Sequence, residues 1–135
     1  MAVTINSKHN RIFKDLDFAF IANPNTGDIV KKFDEDAIKA SVKNLILTRN
    51  YERLFHSEIG SLVMSLLFEP AGPMLNNILK RAIEDTITAF EPRVILKEVN
   101  VISDSDNNSV YVFILFTIVN TTQPVKLDLI LERTR

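Results

Sequence analysis

A chain of 135 residues, 46% of them apolar, has the length of one domain and enough hydrocarbon for a core. Its formal net charge of -1 provides no global field to draw it to nucleic acid or an anionic membrane, so neither is expected as a partner. It has no cysteine, which excludes disulfides, thiolate metal sites and cysteine nucleophiles. Three glycines and no tryptophan leave no material for a glycine-rich phosphate loop.

Residues 1–11 are polar, lack the apolar core of a signal peptide and are expected to form a flexible tail. Residues 12–135 are expected to form one domain. Within residues 12–22, Leu16, Phe18 and Phe20 alternate as one face of a strand would. Residues 23–28, Asn-Pro-Asn-Thr-Gly-Asp, are a turn cluster, after which residues 29–33 could pair back. Asp34 then opens a helix, with Glu35 and Asp36 suited to its positive end. Ala37, Ile38, Ser41, Val42, Leu45 and Ile46 give it a stripe at helical spacing, and it should end near Thr48. Residues 49–60 have no period and read as an ordered loop. Residues 61–68 form a short apolar helix, broken by Glu69-Pro70-Ala71-Gly72-Pro73.

The clearest element follows. Leu75, Ile78, Leu79, Ala82, Ile83, Ile87 and Phe90 advance in steps of three and four, which places them on one helix face. Pro73 suits the first turn, where a missing amide costs nothing, and Pro92 disfavours helical geometry at Glu91. Three strands are predicted after it, over residues 94–102, 110–119 and 125–132, separated by polar turns. Helices followed by an antiparallel meander define an α+β domain, with helices packed on an antiparallel sheet. The longest apolar run, residues 110–118 broken only by Thr117, is too short for a membrane span of about 20 residues.

Few residues suggest chemistry. Glu58, Glu69 and Glu91 sit at element ends, where glycosidase carboxyls could project, but no cleft signal accompanies them and capping, turning or salt-bridging is the favoured reading. His9 and His56 are not at ligand spacing, and no Gly-x-Ser-x-Gly turn accompanies them, so neither a metal, a cofactor nor a catalytic triad is expected. Lys31-Lys32 and Lys80-Arg81 are isolated basic pairs on solvated faces.

Two features go further. In Glu91-Pro92-Arg93 a proline fixes a corner between opposite charges, and Arg93 offers a planar fork to a partner; the plain alternative is a helix stop with an ordinary surface ion pair. Residues 110–116 are apolar on both faces, so cover from the N-terminal segment or another chain, or β-augmentation at an edge, competes with a central strand sandwiched by its own domain.

Several stretches together resemble a known family. Residues 23–30 and 38–48, the loop Tyr51-Glu52-Arg53-Leu54-Phe55-His56-Ser57-Glu58-Ile59-Gly60, Leu67-Phe68-Glu69-Pro70, and Phe90-Glu91-Pro92-Arg93-Val94 are similar, in this order, to the baseplate wedge subunit or sheath initiator of contractile-tailed phages. That family is related to a component of the type VI secretion baseplate. The resemblance runs from about Phe13 to the C-terminus; relatives often carry proline where this chain has Leu54 and Ser57. It implies a non-enzymatic virion protein, assembled in the host cytoplasm. Its partners would be other wedge subunits and the tail sheath protein, with central hub or tube-proximal proteins as further candidates.

By the same resemblance, Glu91, Pro92 and Arg93 would dock on the helical core bundle of the other wedge subunits. Tyr51, Glu52, Arg53, Phe55, Glu58 and Gly60 would carry the loop signature. Val110, Val112, Ile114 and Phe116, with Val125, Leu127, Leu129 and Leu131, would lie in strands that template the first sheath ring. Some relatives carry a lysozyme-like label, so a peptidoglycan-cleaving enzyme using Glu91 or Glu58 stands as an alternative, beside a generic intracellular adaptor domain.

Overall fold

A computed structural model describes residues 13–119 and 121–133; the expected tail, residues 1–11, lies outside them. The elements run β1 (Lys14–Leu16), β2 (Lys31–Phe33), α1 (Asp34–Leu47), α2 (Val63–Leu66), α3 (Pro73–Phe90), β3 (Val94–Asp104), β4 (Ser109–Ile118) and β5 (Pro124–Glu132). The chain forms two compact units, one up to Ile38 and one from Lys39.

The first unit is a small antiparallel hairpin in which Lys14 pairs with Phe33 and Leu16 with Lys31. Its strand is shorter than the alternation of Leu16, Phe18 and Phe20 suggests. The Asp17 carboxylate accepts the Ala19 amide, and Phe20 adopts φ 52°, so the backbone turns and leaves Phe18 and Phe20 exposed. The turn at residues 23–28 forms as its composition dictates. Gly27 takes φ 69°, a left-handed conformation that costs glycine little, and its amide donates to the Asn23 carbonyl at 2.8 Å. The Asp34 carboxylate accepts the amide of Phe13, and its own amide donates to the Phe13 carbonyl, which ties the helix start to the hairpin.

In the second unit β3, β4 and β5 form a three-stranded antiparallel meander with β4 in the centre. Val94 opposes Ile118 and Asp104 opposes Ser109; on the other side Ser109 opposes Glu132 and Thr117 opposes Pro124. One bulge, between Leu96 and Glu98, interrupts the register. Side-chain alternation gives the sheet two different faces. Val99, Val101, Val110, Val112, Ile114, Phe116, Val125, Leu129 and Leu131 are buried on the inner one. Helix α3 lies against β3, and its Leu79, Ile83 and Ile87 are fully buried, each contributing about 1.5–3 kcal/mol of transfer free energy. Ile78, expected on that face, is partly exposed at its margin. The α1 stripe is buried as its period predicts, except that Ser41 is only half-buried. Helices on an antiparallel sheet ending in a meander make the fold α+β. Among the described residues no helix is long and apolar enough to cross a membrane.

Candidate functional site

Helix α3 stops where Pro92 forces it to. Glu91 leaves helical geometry at φ -125° and ψ 77°, while its amide still donates to the Ile87 carbonyl. The Val94 amide donates to the Glu91 carbonyl at 3.1 Å, which closes the turn into β3. This turn points the Glu91 side chain inward, where only 3% of the residue is exposed.

A buried carboxylate requires donors, and side chains give Glu91 three. Arg93 Nε donates to Oε1 at 2.6 Å and Nη2 to Oε2 at 2.8 Å, a two-pronged contact, while Ser41 Oγ donates to Oε2 at 2.6 Å. Arg93 Nη2 also reaches Ser41 Oγ at 3.3 Å. Burial pushes the Glu91 carboxyl up; the hydrogen bonds from Arg93 and Ser41, with the guanidinium charge, outweigh it and hold the group below the ordinary glutamate value. The corner therefore fastens the end of α3 and the start of β3 to the middle of α1. The fork of Arg93 faces inward onto Glu91, where sequence reading had it offered to a partner. The pair is not an ordinary surface ion pair either: its carboxylate is buried and its guanidinium about a third exposed. Pro92 is left exposed at the apex.

The loop at residues 49–60 is ordered by closure at its base. The Ser61 amide donates to the Thr48 carbonyl at 2.8 Å, and Ser61 Oγ donates to the Ile46 carbonyl at 2.5 Å. Gly60 lies so close to the opposite side that an added Cβ would sit 2.7 Å from the carbonyl carbon of Arg49. Inside the loop, the Glu52 carboxylate accepts the Arg49 amide and the Tyr51 amide donates to the Ser57 carbonyl. Tyr51 and Phe55 are held at φ 68° and 70°, left-handed conformations costly for aromatic residues. Tyr51, Leu54 and Phe55 are 84%, 85% and 98% exposed. Arg53 is exposed as well, and His56 Nδ1 lies 3.3 Å from the Glu58 carboxylate.

The strands divide differently. Val110, Val112, Ile114 and Phe116 are on β4, hydrogen-bonded on both sides and buried, so they have no edge to share. Val125, Leu127, Leu129 and Leu131 are on β5, an edge strand among the described residues. The end of β5 is pinned by Arg133, whose Nε donates to the Leu67 carbonyl at 2.7 Å and whose Nη2 donates to the Glu69 carbonyl.

Two residues escaped sequence reading. Ser41 carried one signal, a hydroxyl in an apolar stripe; Arg133 carried none. Glycosidase chemistry needs one acid kept protonated, and two of the candidate carboxyls, Glu91 and Glu58, are drawn the other way. Glu91 is held ionised, and the exposed Glu58 is drawn down by its own backbone amide and by His56.

Residues 33–123, two thirds of the chain, match the family described as baseplate wedge protein gp25. The matched stretch takes in α1, the loop, α3, the corner and β4. The baseplate wedge protein gp25 of Enterobacteria phage T4 is 28% identical over 117 residues, covering 87% of this chain and 88% of that protein. Three solved structures share the fold. One is a putative tail lysozyme from Geobacter sulfurreducens, with a TM-score of 0.67 at 15% identity, covering 73% of this chain and 89% of that one. A chain of the anti-feeding prophage baseplate has a TM-score of 0.62 at 20% identity, covering 91% and 87%. A chain of the pyocin R2 baseplate after contraction has a TM-score of 0.56 at 19% identity, covering 73% and 96%.

Proposed function

The chain belongs to the baseplate wedge protein gp25 family, a structural component of contractile-tail baseplates, and from that premise we propose that it docks in a wedge by its Glu91-Pro92-Arg93 corner and templates the sheath with β5. The observation that carries the docking role is the corner itself. Glu91, Arg93 and Ser41 lock it into one geometry, so Pro92 and the outer side of Arg93 form a preorganised apex. Because the charges satisfy each other, recognition rests on shape and on the exposed rim of the guanidinium rather than on a new ion pair. The occupant is the helical bundle of the other wedge subunits.

Topology supports β5 as the strand that would template the sheath. A partner strand adds to an edge, so β5 would take the first sheath strand and β4 would transmit load as the strand behind it. Main-chain hydrogen bonds would set the register, and alternating side chains the specificity. A structural role is supported by the family match, and neither Glu91 nor Glu58 is held protonated as a general acid would be.

The test places a charge at the apex, where the Glu91–Arg93–Ser41 contacts and the Val94–Glu91 turn bond hold the corner without the proline ring. Pro92→Asp should keep its circular-dichroism spectrum, melt within about 1 kcal/mol of wild type and fail to co-purify with wedge subunits. Wild-type co-purification would remove the docking role.

A further inference from the structure

The outer face of the sheet has a pattern that the wedge assignment does not use. On this face β4 presents Tyr111, Phe113 and Leu115, all half-buried. The register sets a flanking residue on each side of them. Glu98 and Lys126 flank Leu115, Asn100 and Asp128 flank Phe113, and Ile102 and Ile130 flank Tyr111. Between the first two rows is a depression of about 270 Å³, into which the Phe113 and Leu115 side chains open. Lys126 Nζ stands 5.8 Å from the centre of the Phe113 ring. Ile130 is 65% exposed, a large apolar group left in water.

This face is complementary to itself. Sheets stack about 10 Å apart with strands nearly aligned. A half-turn about an axis parallel to β4 lays β4 over β4 and exchanges β3 with β5. Each β3 residue then lies over the β5 residue of its own row in the other copy. Glu98 meets Lys126, Asn100 meets Asp128, and Ile102 meets Ile130: an ion pair, a hydrogen bond and an apolar contact, each made twice. The row that does not match, Asp104 and Glu132 beside Ser109, sets acid over acid at the end of the sheet, beyond the three matched rows, and weakens the pairing.

We infer that the free chain self-associates through this outer face into a two-fold dimer, with Glu98 of each copy on Lys126 of the other. Three strands about 4.8 Å apart and eight residues at about 3.4 Å give a face of roughly 400 Å² per copy. That is about half of a standard interface, so the dimer is weak and appears only at high concentration.

Sedimentation velocity of the full chain over a concentration series tests this. The wild type should shift from one-chain to two-chain mass as concentration rises, and the shift should weaken with added salt. Glu98→Lys and Lys126→Glu, both on exposed side chains, should each stay monomeric at every concentration because like charges then face each other. Mixed in equal amounts, they should recover the two-chain species, since each repulsive pair becomes attractive in the mixed dimer. An edge-to-edge dimer through β5 would not show this recovery. A monomeric wild type, or no association on mixing, overturns the inference. If the wild type is monomeric and Lys126→Glu loses wedge subunits instead, the face belongs to a wedge partner. None of these variants touches residues 91–93, so the docking proposal stands or falls separately.

Discussion

The corner at residues 91–93 and the loop at residues 49–60 solve opposite problems. The corner is rich in charge, yet its charges are spent internally: a buried carboxylate takes both prongs of Arg93 and the Ser41 hydroxyl. The loop is rich in apolar surface and spends almost none of it, holding Tyr51, Leu54 and Phe55 in water above a base with no room for a Cβ at Gly60. The contrast separates two meanings of an unusual sequence. In the corner the unusual residues secure the fold, and what a partner can reach is their shape. In the loop the fold secures the residues, and what a partner can reach is their chemistry.

Substitutions can break this distinction. The largest effect is expected from Arg93→Ala, which strips a buried carboxylate of its guanidinium and leaves it the Ser41 hydroxyl and the backbone amide of residue 93. Removing one partner of a buried pair costs about 3–5 kcal/mol; with Arg93 about a third exposed, a loss of about 2–3 kcal/mol is expected, read as a thermal melt lowered by on the order of 10 °C. Gly60→Ala should come next. Its Cβ must displace backbone, so a loss of about 1–3 kcal/mol is expected, with increased hydrogen exchange confined to the loop base. An unchanged exchange pattern would show that the base is not closed as described.

Acid sharpens the account of the corner. Glu91 has a lowered pKa in the fold, so its contribution is complete above the ordinary glutamate value of about 4.3 and is lost as pH falls through the lower folded value. The stability gap between wild type and Glu91→Gln should therefore be widest near neutrality and shrink in acid denaturation series below about pH 4. The smallest effect belongs to the loop tip. Phe55→Gly removes an exposed side chain and relieves a left-handed φ, so stability should hold or rise by up to about 1 kcal/mol. A substantial loss would mean that Phe55 packs against something in the folded chain.

Much of this fold was legible where one local rule dominates. The α3 stripe, its start at Pro73 and its stop before Pro92 follow from period and ring geometry, and the β5 alternation gave that strand to within one residue. The two-sided apolarity of β4 marked an unusual strand: its central position removes the shared edge, while Tyr111, Phe113 and Leu115 on its outer face stay half-buried. Remote partners leave no local signal in the sequence. Ser41 meets Glu91 across fifty residues, and Gly60 is needed only because Arg49 and Asn50 pass beside it. Phe18 and Phe20 depart from their alternation because the Asp17 carboxylate takes the Ala19 amide and turns the backbone. The direction of the Arg93 fork was invisible for the same reason, since the tripeptide fixes its neighbours but not the hydroxyl that completes the cage.

The most direct measurement is a cryo-electron microscopy structure of this chain in its assembled baseplate with the first sheath ring attached. The account predicts Pro92 and the rim of Arg93 against helices of other wedge subunits, the Glu91–Arg93–Ser41 contacts unchanged, and a sheath strand paired with β5. A corner left in solvent, or a β5 edge with no added strand while sheath is present, would contradict it.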